Sequence, residues 1–457
     1  MKTSAISMFA AALAASGVIA AESAKITVSL DRPVLPAAKA QHCYVKVELE
    51  APSLPPAKAK RMPVNLCLVL DRSGSMTGER IARARDAVAE VVRHLSREDI
   101  LSIVTYDDSA EVVVPAQHVE NPESFMPTIR SIQPRGCTAL FAGVSQGAAE
   151  LRKNVAGPYV SRLVLLSDGQ ANVGPDSPAA LGDLGASLAR EKIGVSTVGL
   201  GVGYNEELML TLAQKSGANA YFAENPRDLE RIFTDELGDA LTTVVRGTVV
   251  TVKGTNGVKP VSVIGFDSKI DGVTATIPID SLGGGQKKYV LVELEVPAAS
   301  AGTSLGLADI SIGYETVADC RKRTLDGQAV AKFSDEDAVV KSSVDKGVAR
   351  EVLRMKNAET KQKMYESNLR RNLGDVDVLG RIQSSFNSDA AAAYDMEDAE
   401  MKEFQDELSA AREEASRAPM SGRKLKFRLS KSRGELNQQR TSSVGGSTDA
   451  DSTEKTR

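Results

Sequence analysis

The chain has 457 residues, of which 42% are apolar and 25% charged, with four cysteines, no tryptophan and a formal net charge of −4. The length calls for more than one domain, the composition is that of an ordinary folded chain, and so small a charge excess excludes a generic nucleic-acid binder. Aromatics are only 4% of residues, so cores must be built from Val, Leu, Ile and Ala.

Residues 1–21 begin with Lys2, run through an Ala-rich apolar stretch and end on small residues at Ala20-Ala21. This is the pattern of a secretory signal peptide, and it predicts export to the periplasm, cell surface or medium. A membrane anchor is the alternative for the same stretch; Ser16 and Gly17 interrupt it, and polar sequence follows at once. No later stretch is long and apolar enough to span a bilayer, so no transmembrane anchor is expected. Export makes disulfides feasible; among Cys43, Cys67, Cys137 and Cys320, a Cys43–Cys320 bridge is one of three connectivities.

Residues 22–51 alternate in hydropathy over Lys25–Glu50, predicting two antiparallel strands. Residues 52–64, APSLPPAKAKRMP without its first residue and with Val64 added, read as a Pro-rich linker. Between 65 and 245, fully apolar strands (NLCLVLD, YVSRLVLLSDG, IGVSTVGLGVG) alternate with amphipathic helices, one of them over Gly78–Leu95 and the last over Pro226–Val245. That alternation predicts a doubly wound, mostly parallel sheet with both faces covered. ILSIVTYDD and EVVVPAQHV predict a hairpin. From 246 to 330 the period returns to two, predicting an antiparallel β-sandwich. A lone hairpin at 22–51 is marginal by itself, so those strands are expected to join this later sandwich, making the α/β unit an insertion in it. Residues 331–420 are predicted helical over Asp335–Leu379 and Tyr394–Arg417. Residues 421–457 are basic and then Ser/Thr/Gly-rich and read as disorder; their run Arg423–Arg433 is a solvated tail or a contact for an anionic envelope surface.

In an open parallel sheet, ligands bind beyond the C-terminal strand ends, where the strand order reverses. Asp71 ends the first apolar strand and is followed by Ser73 and Ser75. Asp168 ends the second, and Thr138 lies in the loop PRGCTAL between them. These two carboxylates and three hydroxyls are hard oxygen donors, which suit Mg²⁺ or Mn²⁺ better than Zn²⁺. Asp107 and Asp108 share the rim, either as hairpin-turn residues or as contacts to the site. GLGVG at Gly199–Gly203 has the spacing of a close strand-to-helix turn rather than a full nucleotide fingerprint.

Asp71-Arg72-Ser73-Gly74-Ser75, Thr138 and Asp168-Gly169 together resemble the three loops of the von Willebrand factor type A fold, whose D-x-S-x-S builds a metal-ion-dependent adhesion site. The resemblance extends from Asn65 to about Val245, and Cys137 departs from it where small residues are usual. The flanking β segments resemble exported bacterial proteins with this module inserted in a β-sandwich. The resemblance implies binding rather than catalysis: a metal held by Asp71, Ser73, Ser75, Thr138 and Asp168, with an open position for an Asp or Glu side chain of a partner protein. Two other functions share parts of this pattern. A Mg²⁺-dependent phosphatase also places an Asp after an apolar strand, but it needs an acid where Ser73 stands, and no nucleophile–base pair is visible. A subunit of an intracellular AAA+ machine is opposed by the signal peptide pattern.

Overall fold

The structure, a computed structural model, describes residues 24–53, 62–168, 171–201, 204–279, 281–369, 372–396, 398–417, 428–429 and 432. The signal peptide pattern, most of the Pro-rich linker and all but three residues of 421–457 lie outside these.

The α/β unit is a six-stranded sheet in the order Ala110–His118, Ile100–Tyr106, Val64–Asp71, Val160–Ser167, Ile193–Leu200, Ala220–Ala223. Only the edge strand Ala110–His118 is antiparallel. The chain starts at the centre, builds outward to one side and then returns to build the other, so the order reverses at Asp71. Alternate residues of Val64–Asp71 serve two cores, because strand side chains point to opposite faces. Leu66, Leu68 and Leu70 pack under helices Glu79–His94 and Leu229–Thr242. Cys67 and Val69 pack with residues of helices Leu140–Arg152, Pro178–Arg190 and Glu206–Ser216. Burial on both faces explains the unbroken apolar runs.

A β-sandwich carries this unit. One sheet orders Lys25–Leu30, Gln41–Glu50, Lys287–Val296 and Lys259–Ile264. The other centres on Thr243–Gly254, Ser304–Thr316 and Arg321–Ser334. Gln41–Glu50 pairs with Lys287–Val296 along its whole length, so the α/β unit is inserted between strands of one sheet. Entry and exit of the insertion meet: the Gly285 N–H donates to the Pro52 carbonyl and the Gly284 N–H to the Thr242 carbonyl. Both lie at the end of the parallel sheet away from Asp71.

Several expectations are corrected. The last helix of the α/β unit stops at Thr242 after a 3₁₀ turn at Pro226–Asp228. Thr243-Val244-Val245 are β-branched, a type that favours strands, and they open a twelve-residue strand instead. Residues 25–50 hold three strands, not two, since Val34–Pro36 crosses to the other sheet and runs parallel to Arg321–Ser334. Arg321–Ser334 had no strand signal because its first half is largely exposed; its Gly327 lets Val28 and Ile26 pack where a Cβ would lie 2.9 Å from Val28 Cγ2. The helix Leu373–Tyr394 runs through the stretch between the two expected helices. Its inward face is polar: Gln383 accepts from Thr360 Oγ1 at 3.0 Å and donates to Asn387 at 2.9 Å, and Asn387 donates to Asn357 at 3.1 Å, all buried. Apolar periodicity is therefore hidden there. Helices Lys346–Leu369, Leu373–Tyr394 and Asp398–Ser416 form a bundle, and Val348, Val352, Met355 and Ala358 cover Tyr44, Ile264, Tyr289 and Leu291 of the four-stranded sheet. Leu429 is buried in that bundle, and Arg428 pairs with Glu414 at 2.8 Å, so these two residues of the expected tail are packed. All four cysteines are free: Cys43 and Cys67 are buried in strands, and Cys320 lies in an exposed turn. The Cys43–Cys320 bridge is not formed.

Candidate metal centre

The first loop forms because its own side chains satisfy it. Asp71 ends the central strand, and its Oδ1 accepts the Ser73 N–H at 2.8 Å, turning the chain as aspartates do. Gly74–Met76 adds one 3₁₀ turn, and fully buried Met76 pins it to the core. Gly78, at φ +85°, then starts the helix Glu79–His94.

The second loop is tied to the first by backbone. Gly74 N–H donates to the Gly136 carbonyl at 3.1 Å and Arg135 N–H to the Arg72 carbonyl at 2.6 Å. Gly136 has φ +68°, and a Cβ there would lie 2.4 Å from Asp108 Oδ2. Only glycine meets both demands. The third loop closes on the second: Asn172 Oδ1 accepts the Thr138 N–H at 2.8 Å, and its own N–H donates to the Thr138 carbonyl at 3.2 Å.

Four of the five candidate residues form one hydrogen-bonded chain. Ser73 Oγ lies 3.0 Å from Ser75 Oγ, and Ser75 Oγ donates to Asp168 Oδ1 at 2.6 Å. Asp71 anchors Ser73 from behind. Asp71, Ser73, Thr138 and Asp168 are buried, while Ser75 is exposed at the mouth. Thr138 joins the set through the loop contacts above. Gly169 lies outside the described residues.

The electrostatics are uneven. Asp71 Oδ2 accepts from Ser167 Oγ at 2.8 Å and faces Tyr106 OH at 3.4 Å. Burial outweighs the hydrogen bonds from Ser73 and Ser167 and pushes its carboxyl up to about 6. Asp168 has a cationic partner: Arg80 Nη1 donates to its Oδ2 and, at 3.1 Å, to the Ser75 carbonyl. Asp107, on the same rim, clamps the two loops. Its Oδ2 accepts from Arg72 Nε and Arg135 Nε, both at 2.7 Å, and its carbonyl accepts the Ala139 N–H at 2.7 Å. Burial works to raise Asp107, but the hydrogen bonds from Arg135, the Ser109 N–H and Arg72 together hold it below the usual carboxylate range. Exposed Cys137 donates its N–H to Asp108 Oδ1 at 3.0 Å, and the same carboxylate raises its thiol, keeping it protonated.

A hard divalent cation fits these donors. Mg²⁺ holds oxygens at about 2.0–2.1 Å, so neighbouring ligands of an octahedron sit about 3 Å apart. The Ser73–Ser75 oxygen separation of 3.0 Å matches that edge. No cluster of three or more His, Cys, Asp or Glu suited to a metal occurs among the described residues; the candidate set here is two carboxylates and three hydroxyls. Arg80 is not singled out as functional by the residue pattern, whereas Asp107 is placed on the rim as a hairpin-turn residue or a contact to the site. Arg80 had a signal: a cation in the first turn of a helix opposes the helix dipole and so needs a local anion. The residue pattern places Asp107 on the rim but not its partners Arg72 and Arg135, which are distant from it in sequence. In GLGVG, Gly199 is required because a Cβ would lie 2.3 Å from the Tyr204 ring, which is a packing role.

Comparison with known proteins bears on the fold that positions these loops. The model of the von Willebrand factor type A domain matches residues 65–235. An uncharacterized Synechocystis protein is 32% identical over 174 residues, 38% of this chain, and the uncharacterized Escherichia coli protein YfbK is 26% identical over 184 residues, 40% of this chain. The chain spans 41% and 32% of the lengths of those two relatives. A solved structure described as von Willebrand factor type A from Catenulispora acidiphila superposes with a TM-score of 0.66 at 14% identity, covering 94% of this chain and 99% of that one. That likeness extends the shared fold to the sandwich and the helices. The segment 65–235 of this chain is a von Willebrand factor type A domain.

Proposed function

We propose that the chain is an exported, divalent-cation-dependent protein-binding module. Asp71, Ser73, Ser75, Thr138 and Asp168 would hold Mg²⁺ or Mn²⁺, and the cation's open side would take an Asp or Glu side chain of a partner. The observation that carries this reading is the chain of oxygens from Ser73 through Ser75 to Asp168, spaced for one small cation and open at Ser75. The bound cation supplies positive charge for carboxylate capture. The protein's own residues do the rest: the serine hydroxyls face the cation, the buried Asp71 supplies negative charge behind them, and Asp107 keeps the loops in register. The sandwich of residues 22–51 and 246–330, with the helical region 331–420, acts as a carrier that leaves this end free. The pattern of residues 1–21 supports export; mass spectrometry of the native chain should find them removed.

The phosphatase reading asks Asp71 to attack phosphorus. Asp71 is fully buried behind Ser73, and Ser73, Ser167 and Tyr106 hold its oxygens. It supplies charge rather than attack.

Mn²⁺ electron paramagnetic resonance tests the proposal. Free Mn²⁺ signal should fall on adding protein and return on adding excess Mg²⁺. A short peptide with one Glu should then perturb the bound-ion signal more than its Gln counterpart. Absence of Mn²⁺ binding, or equal effects of the two peptides, contradicts the reading.

A further inference from the structure

Arg80 stands where a cation-binding loop is least expected to place a positive charge. It lies in the first turn of the helix Glu79–His94, a position that disfavours cations, and its side chain is 41% exposed. It is nevertheless held. Its Nη1 bonds both Asp168 Oδ2 and the Ser75 carbonyl, so it joins the first and third loops. Its Nη2 rests against Gly201, where an added Cβ would lie 3.6 Å away. Asp168 itself is sealed, with 0% of its side chain exposed, and both oxygens already carry donors: Ser75 on Oδ1 and Arg80 on Oδ2.

We infer that Arg80 sets the balance of the site, loosening its grip on the metal and strengthening the metal's grip on an incoming carboxylate. The inference rests on the metal reading above. Asp71 and Asp168 together would present two negative charges to a cation. Arg80 offsets one of them through direct contact with Asp168. A divalent ion then keeps more of its own positive charge for a ligand on the open side. Without Arg80 the same ion would be held more tightly and would attract an acidic ligand less. Structural damage, by contrast, weakens both steps together, so the opposite signs identify the role.

A positive charge in direct contact with a carboxylate opposes a cation at the same oxygens. Partial exposure of Arg80 screens the interaction and keeps the effect modest, about tenfold.

The test measures two constants on the full chain for wild type, Arg80→Ala and Arg80→Lys: Mn²⁺ affinity by electron paramagnetic resonance, and acetate affinity of the Mn²⁺-loaded protein by water-proton relaxation. Arg80→Ala should bind Mn²⁺ about tenfold more tightly and acetate correspondingly less tightly. Arg80→Lys, which keeps the charge but loses the fork, should fall between Ala and wild type. Equal Mn²⁺ affinity of wild type and Arg80→Ala overturns the inference while leaving the metal reading in place. Weaker Mn²⁺ binding by Arg80→Ala overturns it in favour of a loop-holding role. Failure of wild type and both variants to bind Mn²⁺ overturns the metal reading and this inference with it.

Discussion

The two ends of the parallel sheet bury charge in opposite ways. At the end away from Asp71, Arg246 and Glu315, with side chains 8% and 6% exposed, pair at 2.7 Å. Lys192 bonds the second Glu315 oxygen, and Arg246 also reaches the Tyr159 carbonyl. These contacts tie the α/β unit, through Tyr159 and Lys192, to the strands of the sandwich. Each of these three charges is answered. At the other end Asp71 is buried among neutral donors, and among the described residues no cation pairs with it. Burying an unanswered carboxylate is costly, and strongly perturbed acids gather at functional sites. Under the proposed function, the contrast separates charge used to hold domains together from charge kept in waiting for a ligand. Asp107 is instructive because it lies at the metal end but is built like the far end, with two arginines on one oxygen.

Breaking the answered end should cost the most stability. Arg246→Ala leaves Glu315 buried with half its partners and should lower unfolding free energy by about 3–5 kcal/mol in urea titration, with Mn²⁺ affinity unchanged. A variant that weakened Mn²⁺ binding equally would erase the distinction between the ends. Asp107→Asn should come next, at about 1–3 kcal/mol, and it should also weaken Mn²⁺ binding, because the ion pairs of Asp107 with Arg72 and Arg135 are then lost and only Glu111 and the backbone bonds still tie the two loops. Unchanged metal affinity in that variant would move Asp107 from clamp to ordinary structural residue.

Acid should act on the joint more gently. Burial works to raise Glu315, but Lys192 and Arg246 hold it below its ordinary value of 4.5. A carboxylate lowered in the folded state contributes stability above its unfolded value and loses it as pH falls through the folded one. The stability gap between wild type and Glu315→Gln should therefore be full near neutrality and shrink steadily below about pH 4.5. A gap that grows on acidification would show the opposite sign.

How much of this was legible in the sequence depends on where the physics is local. The buried strands announce themselves as apolar runs, and Asp71, Ser73, Ser75, Thr138 and Asp168 stand just beyond them, so a candidate site could be named residue by residue. The insertion followed from strands at 25–50 that lacked partners. What escaped was set by contacts remote in the chain. Leu373–Tyr394 buries Gln383 and Asn387 in a polar seam that mimics a break in a helix. Arg321–Ser334 is a strand because Ser304–Thr316 pairs with it, not because its own residues alternate throughout. Arg72 and Arg135 meet on Asp107 and on Glu111, which no linear pattern displays.

The most direct test of the contrast is one substitution, Asp71→Asn, measured two ways. If Asp71 is charge in waiting, removing that charge should abolish Mn²⁺ binding by electron paramagnetic resonance. The same change relieves a buried carboxylate, so the thermal unfolding midpoint without added metal should stay the same or rise. Mn²⁺ binding equal to wild type, or a fall in that midpoint as large as that of Arg246→Ala, would contradict the account.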